Sequence, residues 1–108
     1  MQNVDLTFLE NALQSFVETS IHRVAHSGDM QYRYRIAAAD IKAATGRQRL
    51  HGAVIEEYEQ FFAHQGAEAG YDEAFSSFNV AIDLSRVVLS PTQARFLSTA
   101  MSLYRTEH

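Results

Sequence analysis

The chain opens on a helical rhythm. Leu6, Leu9, Leu13, Phe16, Val17, Ile21 and Val24 recur three and four positions apart, which places them along one side of an α-helix. This stripe predicts a helix over about residues 5–25. Thr7 and Glu10 stand at capping-box spacing, with Asp5 as a rival N-cap. Ser27-Gly28-Asp29 breaks the pattern. Met30, Tyr32, Tyr34 and Ile36 then alternate with Gln31, Arg33 and Arg35. A period of two marks a strand with one buried face, and it turns Arg33 and Arg35 to solvent.

Residues 37–45 (AAADIKAAT) are strong helix formers, and Gly46 is a natural stop. A longer helix is expected over residues 47–65, burying Leu50, Val54, Tyr58, Phe61 and Phe62 and ending at Gly66. Residues 67–73 carry no decisive pattern, although Tyr71 suits a short strand. Across residues 77–85, Phe78, Val80, Ile82 and Leu84 alternate with Asn79, Ala81, Asp83 and Ser85, a second clear strand. Ser90, Pro91 and Gln93 occupy the N-cap, first and third positions of a last helix. Leu97, Ala100, Met101 and Tyr104 form its stripe, and Phe96 and Leu103 widen it.

These elements make a single α+β domain over residues 1–108, with four helices and a small antiparallel β-sheet. There is no internal repeat or linker. The order helix, strand, short helix, longer helix, strand pair resembles the winged helix-turn-helix superfamily. The likeness rests on that order and on the stretch AAADIKAATGRQRLHGAVIEEYEQFF around Gly46. It covers residues 5–85, with residues 88–106 as an added C-terminal helix. It implies that residues 47–52 face DNA and that residues 67–77 form the wing tip. The first strand, about seven residues long, exceeds the short strand usual in that fold.

Composition narrows the function. The 108 residues are 46% hydrophobic and 20% charged, values of a folded chain rather than a disordered one. No apolar run approaches the ~20 residues that span a bilayer. No leader pattern is visible, and a cytoplasmic location is the expectation. The absence of cysteine excludes disulfides, thiol catalysis and Cys-ligated zinc. Net charge is −4: residues 1–50 carry six basic and five acidic side chains, and residues 51–108 carry three and eight. Nucleic acid could therefore be held only through a local patch.

Arg33, Arg35, Lys42, Arg47 and Arg49 supply a candidate patch. Arg49 and Gln48 are residue types that read guanine and adenine. Arg47, Lys42, Arg33 and Arg35 suit phosphates. Glu56 and Glu59 follow on the same helix face and would repel phosphate, so only an end-on approach led by Arg47 to Gly52 fits. His51 is expected to pack at the apolar edge.

A small DNA-binding regulator is the first expectation. It would act as a homodimer paired through Phe96, Leu97, Met101, Leu103 and Tyr104. The alternative is an inhibitor, immunity protein or adaptor whose Glu56, Glu59, Glu68, Asp72 and Glu73 dock a basic protein partner. Catalytic signals are weak. His22 and His26 have metal-ligand spacing but no third ligand or HExxH motif. Glu56, Glu57 and Glu59 could suggest paired carboxylates, but Glu56 and Glu59 share an exposed helix face with no sign of the cleft that acid–base work needs. The serines lack a GxSxG context, and the glycines form no phosphate loop. The expectation is a non-enzymatic protein without cofactor or metal.

Overall fold

The computed structural model describes all 108 residues. Four helices, α1 (Asn3–Ser27), α2 (Ala38–Thr45), α3 (Gly52–His64) and α4 (Pro91–Glu107), surround a sheet of β1 (Gln31–Ala37), β2 (Glu68–Asp72) and β3 (Ser77–Asp83). The sheet is antiparallel throughout, in the order β1-β3-β2. No helix is long and apolar enough to cross a membrane.

Strand alternation sorts the sheet into two faces. Tyr32 and Ile82, Tyr34, Val80 and Ala69, and Ile36, Phe78 and Tyr71 form rows on the covered face. Helix α1 packs over β1 and β3, and α3 packs over β2. Leu9, Val17, Val24, Tyr58, Phe62 and Val80 fill the space between them and are almost wholly buried. Each such side chain contributes about 1.5–3 kcal/mol by leaving water. Phe16 stacks on Tyr34 at 4.5 Å, and the Ser20 and Tyr34 hydroxyls pair at 2.7 Å, which fixes α1 against β1.

Helix α4 lies along α1, and the two run parallel. Tyr104, near the end of α4, sits over Gly28, just past the end of α1. Gly28 has φ 74°, and a Cβ there would meet the Tyr104 ring at 2.4–2.9 Å. Only glycine satisfies both the left-handed turn and the close approach. At the other end of α4 the Ser90 hydroxyl accepts the Gln93 N–H, and the Gln93 side chain accepts the Ser90 N–H. This is the capping box the sequence announces.

Three expectations require correction. The longer helix begins at Gly52, not at residue 47. Gly46 caps α2 in the left-handed conformation, and residues 46–51 cross to α3 as an irregular connection with His51 at the N-cap. Leu50 extends the apolar rhythm of α3, but it packs from this connection. His51 is exposed rather than packed at an apolar edge. The first helix also starts earlier, at Asn3. Asp5 is inside it, and its carboxylate accepts the Gln2 N–H at 3.0 Å.

Candidate nucleic-acid interface

The connection between α2 and α3 is held by a buried ion pair. Asp5, fully buried on the inner line of α1, receives Arg47 Nε at 2.8 Å and Nη2 at 2.7 Å. The Tyr58 hydroxyl of α3 donates to the same carboxylate. One carboxylate thus ties together α1, the connection and α3. The two-pronged Arg47 hydrogen bond drives the Asp5 carboxyl far below its usual range, overcoming the opposing effect of burial. Burial, then the hydrogen bond to Asp5, pushes the Tyr58 phenol far above its usual range. The hydrogen bonds to Asp5 raise the Arg47 guanidinium further above its usual range, so it stays charged.

Arg47 is therefore not free to hold a phosphate, contrary to the expectation drawn from its place in the basic cluster. Its guanidinium faces inward because an unpaired Asp5 carboxylate at that depth would be strongly destabilising. The other members of the cluster stand differently. Gln48 and Arg49 are exposed, but on the connection rather than on the first turn of a helix. Lys42 is exposed on α2. None of Arg33, Arg35, Lys42 and Arg49 forms an ion pair; the salt bridges are Arg47–Asp5 and Met1–Glu57.

Arg33 and Arg35 lie on the open face of the sheet. Arg33 is level with Ala81 and Glu68, and Arg35 with Asn79 and Gly70. The small residues between the outer strands leave a trough of about 660 Å³. Arg35 is steadied by neutral groups: Nε donates to Asn79 Oδ1 at 3.4 Å, and the guanidinium sits 5.1 Å from the ring of the exposed Phe75. At the opposite end Arg23 and Arg86 line a second hollow that also contains Arg33 and the carboxylates of Asp29, Glu68 and Asp83. Arg23 rests over the Tyr32 ring at 4.4 Å. Ser85 holds the Asp83 carboxyl below its usual value through side-chain and backbone hydrogen bonds. Arg23, Arg86, Asn79 and Phe75 belong to no motif: they come from α1, the segment after β3, β3 itself and the β2–β3 turn, and only the fold brings them near the arginines of β1.

The acidic set divides in the same way. Glu56, Glu68 and Glu73 are exposed, whereas Glu59 accepts the Tyr71 N–H at 3.3 Å and Asp72 accepts the Ala74 N–H at 2.9 Å. Of the last-helix set, Leu97 is buried, and Met101 and Tyr104 are half-buried toward α1. Phe96 and Leu103 alone remain exposed, at 60% and 48%. No group of three or more His, Asp or Glu side chains is placed to hold a metal ion. No protein-family model, curated protein or solved structure matches this chain.

Proposed function

We propose that the protein binds DNA as a small regulatory protein. Arg33 and Arg35 on the open sheet face, with Lys42 and Arg49, hold phosphates, and Gln48 and Arg49 approach base edges from the α2–α3 connection. The observation that carries this reading is that these four cations are exposed and none forms a salt bridge, while the fifth is paired with Asp5. Element order is what supports the winged-helix reading. Helices α2 and α3 are not packed on one another as a tight helix-turn-helix would be. Contact therefore falls to the connection and the sheet rather than to the length of α3.

Fluorescence anisotropy with labelled duplexes of varied sequence, at low salt, tests the reading. Wild-type protein should bind, and Arg33→Ala/Arg35→Ala and Lys42→Ala/Arg49→Ala should each weaken binding by about tenfold or more. Binding weaker than about 100 µM even at low salt, where non-specific binders are tighter, would reject it. The exposed Glu56, Glu68 and Glu73 favour a second reading, an acidic module that docks a basic protein. Stoichiometric recovery of one basic partner, lost on Glu56→Lys/Glu73→Lys, would select that alternative.

A further inference from the structure

We propose that the seam between α1 and α4 is the dimer interface of this protein, and that its occupant is the same seam of a second copy. Phe96 and Leu103 project from α4 with 60% and 48% of their surface exposed. They stand seven residues apart, two turns along one line of the helix. Beside them Ile21 and Ala25 of α1 and Ala100 of α4 border a hollow of about 540 Å³. Phe96 also borders a second hollow that reaches back to Leu6 and Val88. Leu6 and Val88 are exposed too. Projecting knobs thus alternate with hollows along a single strip. A two-fold axis through such a strip seats the knobs of each copy in the hollows of the other.

The size of the strip suits a second copy. From Leu6 to His26 it is ~30 Å long at 1.5 Å per residue, and two adjacent helices are ~20 Å wide. This gives ~600 Å² per copy and ~1,200 Å² in all, at the lower end of the range for specific interfaces.

Charge also fits. Glu10, Gln14, Glu18, His22 and His26 follow one another every fourth residue on the exposed side of α1. The acidic half precedes the imidazole half. A two-fold axis lying in the contact plane and running across the helices sets the partner's α1 antiparallel to α1. Acidic positions then face imidazoles, with Glu18 opposite His22 of the second copy. The α4 side of the hollow offers Phe96, Thr99, Ala100 and Leu103, none of them charged, so no like charge opposes this pairing.

Sedimentation velocity and light scattering on the full chain, without nucleic acid, from about 1 to 200 µM, test the proposal against the micromolar range of modest interfaces. Wild-type protein should reach twice the chain mass. Phe96→Asp/Leu103→Asp should remain monomeric with an unchanged far-UV spectrum, since both side chains are exposed. His22→Glu, which sets carboxylate against carboxylate, should weaken the dimer by about tenfold. A wild-type chain that stays monomeric at about 200 µM overturns the proposal. So does a Phe96→Asp/Leu103→Asp protein that keeps the wild-type dimer. The assay contains no DNA, so its outcome is independent of the DNA-binding reading.

Discussion

Replacing Asp5 with alanine strips four hydrogen bonds from one buried point: two from Arg47, one from Tyr58 and one from the Gln2 backbone. The change leaves a guanidinium and a phenol without their acceptor. Breaking a buried ion pair from one side typically costs about 3–5 kcal/mol. The Arg47 side chain is 19% exposed and can recruit water, which places the loss near the lower end, about 3 kcal/mol. For a chain of this length that lowers Tm by about 12–15 °C. Arg47→Ala is expected to cost a similar amount, because it leaves the carboxylate buried with only Tyr58 and Gln2. The double variant removes both charges, so it should cost little more than either single change. The coupling energy in the cycle is about 2–3 kcal/mol. Urea unfolding followed by far-UV circular dichroism at pH 7 measures all four corners. Single-variant losses below about 1 kcal/mol, as for an exposed pair, or strictly additive losses, would refute the claim that this pair holds the α2–α3 connection.

The same pair sets the acid limb of stability. The folded-state pKa of Asp5 lies below its ordinary value of 3.8. Its stabilisation is therefore complete above that value and is lost as pH falls below it toward the folded pKa. Urea midpoints between pH 7 and pH 2 should fall steeply below about pH 4 for the wild type and much less for Asp5→Asn, so that the two curves converge in acid. Gly28→Ala should destabilise the protein by more than Gly46→Ala. Both residues are left-handed, but only the first would drive a Cβ into Tyr104, and thermal unfolding of the two variants compares them. The expected cost is about 1 kcal/mol at Gly46 and at least twice that at Gly28. Ser90→Ala removes the oxygen that accepts the Gln93 N–H and should cost about 1 kcal/mol by the same measurement.

The parts of the fold legible in the sequence are those written by local period and capping. The stripe of α1, the alternations of β1 and β3 and the capping box of α4 each need only neighbours within a few residues. The start of α3 was not legible. Arg47, Gln48 and Arg49 favour helix, and Leu50 keeps the apolar rhythm. The interaction that pulls them out of a helix comes from Asp5, 42 residues away. A signal did exist. Asp5 precedes Leu9 and Leu13 at four-residue spacing, on the line of α1 that faces the core. A carboxylate on a buried line requires a cationic partner, and Arg47 and Arg49 beside Gly46 are among the candidates. The basic side chains are neighbours in sequence, but their roles were not legible, because the direction of Arg47 depends on that distant carboxylate. The trough on the sheet depends on the register between strands, which no single segment encodes.

The most direct test of the division between locked and free cations is the salt dependence of duplex binding. The logarithm of the binding constant should fall linearly with the logarithm of salt concentration, with a slope of about −3 to −4 for four phosphate contacts. Arg33→Ala/Arg35→Ala should reduce the steepness by about 2. A slope near zero, or one that the double variant leaves unchanged, would contradict the assignment of these arginines to phosphate.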